Sequence, residues 1–120
     1  MTDSMIVDDI RTFYDALAPE YDVMTDFPRR FAHERPFFHM LVEKFNLRTA
    51  LDAGTGTGFH ALLLAQLGLS VTAIDISLAM LKGVSQHAKA MKLKIETVET
   101  PFQTAYQVLN REFDFVLSMG

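Results

Sequence analysis

Three glycines alternate with two threonines in the stretch Leu51-Asp52-Ala53-Gly54-Thr55-Gly56-Thr57-Gly58. Set between a strand and a helix, such a loop turns tightly and lets a ligand lie against bare main chain, close to the free amides of the helix N-terminus. The chemistry this permits is the cradling of a nucleotide or nucleoside. Asp75 stands twenty-one residues beyond Gly54 and ends a second, β-branched apolar run. At that place a carboxylate can accept hydrogen bonds from both hydroxyls of a ribose lying across the strand tips. A dinucleotide fingerprint, Gly-x-Gly-x-x-Gly, counted from Gly54 requires glycine where Phe59 stands, so a nicotinamide-dependent oxidoreductase is the lesser alternative. A P-loop requires Gly-Lys-Ser/Thr, but Gly58 is followed by Phe59 and His60, which disfavours a triphosphate.

Other chemistry-bearing side chains lack partners at useful spacing. His33 and His39 are six residues apart, on different helix faces, and none of the four histidines belongs to a metal-ligand pattern. His60, in the first turn after the glycine loop, is read as packing or solvent-facing. No metal site is expected, and no Ser-His-Asp arrangement marks a catalytic residue.

The elements that must hold the loop follow from periodicity. Residues 1–46 form an aromatic region of helical spacing, broken at Pro19, Pro28 and Pro36, with helices expected near 7–17 and 28–45. Pro28 suits a first helical turn, whereas Pro36 is expected to kink or split the second helix. Residues 47–120 alternate. Strands are expected at 49–53, 70–75, 94–98 and 113–118, with helices to Leu67, from the Ser77 cap to about Met91, and over 104–109. This is an α/β order, predicting a Rossmann-like, doubly wound, mostly parallel sheet under an N-terminal helical cap. The last strand is apolar and belongs in the middle of such a sheet, yet the sequence stops at its tip. That points to the N-terminal part of a longer protein, cut after its fourth strand.

Composition bounds the rest. The 120 residues are 49% hydrophobic and 22% charged, as in one folded globular domain. A net charge of -4 offers no basic field for nucleic acid or an anionic membrane, and no apolar stretch approaches the ~20 residues of a membrane helix. The chain has no cysteine, which fits a cytoplasmic protein and excludes thiol chemistry and disulfides.

Leu51 to Gly58, then Val71-Thr72-Ala73-Ile74-Asp75-Ile76-Ser77 and Met80-Leu81, resemble the first two motifs of class I S-adenosylmethionine-dependent methyltransferases. Phe113 to Ser118 resembles that family's fourth strand, and Phe13-Tyr14-Asp15 with Tyr21-Asp22 resembles the N-terminal helices of its small-molecule members. The resemblance implies S-adenosyl-L-methionine as cofactor and a small-molecule acceptor methylated on N or O. It further implies that Asp52 anchors the cofactor's ammonium, that the Gly54, Thr55, Gly56 and Gly58 loop passes beneath methionine and ribose, and that Asp75 holds the ribose. Ile76 and Met80 would wall the adenine. Arg30 and Tyr21 resemble the arginine that holds the cofactor carboxylate and the tyrosine that closes over it in glycine N-methyltransferase-like members. After the third strand many relatives carry an aspartate for the adenine amino group, where this sequence has Glu99-Thr100-Pro101-Phe102. Residues that handle the acceptor would lie beyond Gly120. A non-catalytic S-adenosylmethionine-binding module is the remaining alternative.

Overall fold

The computed structural model describes residues 27–118. The helix expected near 7–17 and Tyr21 lie outside the described residues. Eight elements follow in order: α1 (Phe27–Phe45), β1 (Thr49–Ala53), α2 (Phe59–Gln66), β2 (Ser70–Asp75), α3 (Leu78–Ala90), β3 (Ile95–Glu99), α4 (Phe102–Leu109) and β4 (Phe115–Leu117). The sheet order is β3-β2-β1-β4, and every pairing is parallel. The chain first winds outward from β1 to β3 and then returns to the other side of β1. The strand order therefore reverses beside β1, the place where open α/β sheets bind ligands beyond the carboxyl ends of their strands.

Alternation along the strands divides the core in two. Ala50, Val71 and Ala73 face the side that also buries Phe38, Leu63, Leu64 and Val84, from α1, α2 and α3. Leu51, Ala53 and Ile74 face the opposite side and meet Ala105 of α4. Helices thus cover both faces. α2, Phe-His-Ala-Leu-Leu-Leu-Ala-Gln, buries Phe59, Ala61, Leu62, Leu63 and Leu64, as a helix that is apolar all round must.

Helix ends are set by residues in the left-handed region. The amides of Gly68 and Leu69 reach back to the carbonyls of Ala65 and Leu64, and those of Lys92 and Leu93 to Lys89 and Ala88, which satisfies the last carbonyls of α2 and α3. α1 ends in the same way at Asn46, where the aromatic region gives way to the alternating one.

Three expectations are corrected. Pro36 does not split the second helix, since α1 runs unbroken from Phe27 to Phe45. Its first half is held by the Phe27 and Phe31 rings against Phe59, its second by Phe38 in the core, and the carbonyl that the proline leaves unbonded belongs to exposed Ala32. α4 begins at Phe102 rather than Thr104, because Pro101 already has the extended N-cap backbone and its carbonyl accepts from the Thr104 amide. β4, from Phe115 to Leu117, is shorter than the strand expected over 113–118. Before it, the Asp114 carboxylate accepts from the amides of Arg48 and Thr49, a side-chain staple where a longer strand would make ladder bonds.

Candidate functional site: the glycine loop and its two aspartates

The loop after β1 is held by its neighbour strand. Both Gly54 and Thr55 donate their amides to the Ile74 carbonyl of β2 at 2.9 Å, and the Gly58 amide closes onto Thr55 at 2.9 Å. Gly54, Gly56 and Gly58 all have positive φ, at 71°, 58° and 85°, where any Cβ is strained.

Space separates the three. A Cβ built on Gly54 or Gly56 would meet nothing within 4 Å, whereas one on Gly58 would come within 2.5 Å of Val84 Cγ2 on α3. Gly58 is thereby a contact between helices, and the first two glycines present bare main chain to open space.

Asp52 and Asp75 flank this opening from below. Asp52 is buried, accepts the Thr55 hydroxyl at 2.8 Å and also takes the amide of Ala61 in the first turn of α2. Since Gly58 has no side chain to cap α2, the carboxylate from the tip of β1 serves the helix N-terminus instead. Burial pushes the Asp52 carboxyl above the ordinary range; the Thr55 hydroxyl, nearby His60 and the Ala61 amide pull it back, and the charge of Asp75 adds to the rise. Asp75 Oδ2 accepts from the Gly56 amide at 2.9 Å and Oδ1 from the Ser77 amide at 3.0 Å, so one side chain ties the loop to the start of α3. Ser77 then caps α3 through the Met80 amide.

A family model for a methyltransferase domain matches residues 50–120, which contain the whole of this loop and both aspartates. The chain belongs to the methyltransferase domain family. Its cofactor is S-adenosyl-L-methionine. Among curated relatives, it is 26% identical over 90% of its length to a glycine/sarcosine N-methyltransferase of Aphanothece halophytica, of which it covers 41%. It is 30% identical over 83% of its length to the enzyme of the same name from Parasynechococcus marenigrum, of which it covers 36%. The chain thus spans about two fifths of the length of these two relatives. In fold it is similar to DhpI, solved as a complex with SAH, with a TM-score of 0.65 at 22% identity over 98% of this chain and 54% of that one.

The open side of Gly54 and Gly56 suits a nucleoside that must approach main chain closely. The methyltransferase domain brings Asp52, Gly54, Thr55, Gly56 and Asp75 together at the tips of β1 and β2. Ile76 follows half-buried, and Met80 is buried in the first turn of α3. Glu99, which ends β3, is exposed, and beyond it Phe102 is 58% exposed, while buried Thr100 donates its amide to the Asp75 carbonyl at 3.1 Å. Among the described residues no group of three His, Asp or Glu side chains is arranged to hold a metal ion, and no helix is long and apolar enough to cross a membrane.

Arg30 packs on Phe59, the first residue of α2, with company that sequence reasoning missed. Its guanidinium carbon lies 3.9 Å over the Phe59 ring, and one of its nitrogens is 3.4 Å from Glu34 Oε2. The other Glu34 oxygen is 3.0 Å from His60 Nε2, so His60, which packs on Phe38 and Phe59 as expected, also has a carboxylate partner. The spacing of Arg30 and Glu34, four residues on one helix, was a readable signal. The reach from Glu34 to His60, across twenty-six residues, was not.

Proposed function

We propose that the whole protein is an S-adenosylmethionine-dependent methyltransferase that methylates a nitrogen of a small acceptor. The observation that carries this reading is the open, positive-φ main chain of Gly54 and Gly56 between Asp52 and Asp75, within a chain of the methyltransferase domain family. The choice of nitrogen over oxygen follows the names of the curated relatives, and the acidic chain favours a small acceptor over nucleic acid.

In this reading Asp52 receives the ammonium of the methionine end, Arg30 its carboxylate, and Tyr21 closes over it. The backbone of Gly54, Thr55, Gly56 and Gly58 lies beneath methionine and ribose, Asp75 takes the ribose hydroxyls, and Ile76 with Met80 walls the adenine. The Asp75 oxygens already accept the amides of Gly56 and Ser77, so the loop would be preset before the ribose arrives. The bound cofactor supplies a methyl group already activated on a sulfonium. An unprotonated acceptor amine would take that methyl group when held beside it. The chain's share of the work is orientation, with the methyl group held in line at about 3 Å and water kept out.

Incubating the full protein with methyl-labelled S-adenosylmethionine and glycine or sarcosine, and following label by mass spectrometry, tests the proposal. Labelled N-methyl product is expected. Cofactor binding without transfer to any amine offered would overturn the acceptor assignment, and absence of cofactor binding would overturn the site.

A further inference from the structure

Arg30 on α1 and Asp52 near the tip of β1 carry opposite charges, and Glu34 and His60 lead from the first to the turn of α2 whose Ala61 amide Asp52 accepts. Glu34 Oε2 is 3.4 Å from Arg30, Glu34 Oε1 is 3.0 Å from His60 Nε2, and His60 is close enough to Asp52 to lower its pKa. A carboxylate only accepts, so His60 must carry a proton on Nε2 for this contact, which orients the ring. Phe38 and Phe59 meet that ring edge to face with centroids 5.5 and 4.9 Å away, leaving it one place to sit.

Arg30 is pinned as well, between the Phe59 face and Glu34. Glu34 engages one of its nitrogens, and the remaining donors of the guanidinium fork are free to take a second carboxylate. Taken alone, Glu34 would repel that second carboxylate. Its bond to His60 offsets the repulsion.

We propose that Glu34 is a positioning residue for the amino-acid end of the cofactor. Acting through Arg30 and His60, it sets the separation between the cation and the anion that receive the carboxylate and the ammonium of one α-amino acid group. It also ties α1 to the first turn of α2. This rests on the assignment of Asp52 and Arg30 to the methionine end and is independent of the acceptor.

The test uses the full chain and two probes, S-adenosylhomocysteine and 5′-methylthioadenosine, the second lacking the amino-acid end. Glu34→Ala and His60→Ala should each weaken S-adenosylhomocysteine about tenfold by calorimetry, the size expected for a charge-assisted hydrogen bond. The double variant should be little worse than either single one, since both break the same link. Glu34→Gln, which keeps the shape and one acceptor, should fall between, and affinity for 5′-methylthioadenosine should not change in any of them. Equal losses for both probes would mean that Glu34 only supports the fold and would overturn the proposal, as would unchanged affinity for S-adenosylhomocysteine. If the unaltered protein bound neither probe, the cofactor-site assignment itself would fall, and the proposal with it.

Discussion

On one face of the sheet α2 and α3 bury Leu62, Leu63, Leu64 and Val84 completely, while on the other α4 buries Ala105 and leaves Phe102, Tyr106 and Val108 largely exposed. The second face is stitched by polar groups instead, with Arg111 reaching Glu96 and buried Thr72, and Thr100 paired with Thr104. Both helices that start at the candidate site, α2 after Gly58 and α3 after Ser77, belong to the first face. The contrast shows where a strained loop can be kept. Three positive-φ glycines in five residues persist only where dense neighbours over-determine them, and the first face supplies those neighbours.

Truncation measures the contrast most directly. Leu63→Ala, at a fully buried position, should cost about 2–5 kcal/mol in denaturant unfolding, whereas Val108→Ala on α4 should stay within about 0.5 kcal/mol. Similar costs at both positions would mean that the two faces are equally packed.

Next in size is the difference between the glycines. Gly58→Ala should cost about 2–4 kcal/mol, combining left-handed strain with the clash against Val84, and Val84→Ala in the same chain should recover part of it. Gly56→Ala meets open space and should cost the fold only about 1–2 kcal/mol of strain, with its larger effect on S-adenosylhomocysteine affinity measured by calorimetry. A reversed ranking of melting temperatures would assign the packing role to the wrong glycine.

Asp52 should show stability and binding pulling apart. Its folded pKa is raised above 3.8, so the native state binds more protons than the unfolded chain through that window, and the protein loses stability as pH rises from about 3.8 through the raised value. Asp52→Asn removes the buried charge yet keeps an acceptor for Thr55 and Ala61. It should therefore hold or raise the melting temperature at pH 7 while weakening cofactor binding about tenfold or more. A lower melting temperature with unchanged affinity would make Asp52 a helix cap and nothing else.

The smallest effect belongs to the polar staple. Hydrogen bonds from Arg111 and then Thr72 hold the Glu96 carboxyl below its usual 4.5, so its contribution is complete above that pH and fades as pH falls through the lowered value. Glu96 and Arg111 are both about half exposed, and solvent screening keeps Glu96→Gln under about 1 kcal/mol at pH 7. Thermal melts of the two proteins at pH 7 and pH 3 should converge at the acid end.

Much of this fold is written locally. β1, β2 and α3 lie where an apolar run, a β-branched run and the Ser77 cap place them, and the Gly54 to Gly58 loop with Asp75 marks the candidate site, because pleat, helical period and backbone freedom depend on a few neighbouring residues. The misjudged elements are those in which distant residues intervene. Pro36 is carried inside α1 because the rings on either side of it pack on α2 and the sheet, and β4 is shortened where Asp114 captures the amides of Arg48 and Thr49, sixty-six and sixty-five residues away.

Spacing alone therefore determined a parallel α/β sheet with a glycine loop between β1 and α2 and an acid at the end of β2. Only the tertiary structure decided which of three similar glycines faces open space and which meets Val84, that Asp52 caps α2 through Ala61, and that His60 joins Glu34. The physical reason is range. A residue's own neighbours set its backbone preferences, but free volume, desolvation and ion-pair partners are made by whatever segments pack against it, and here those come from α1, α2 and α3 together.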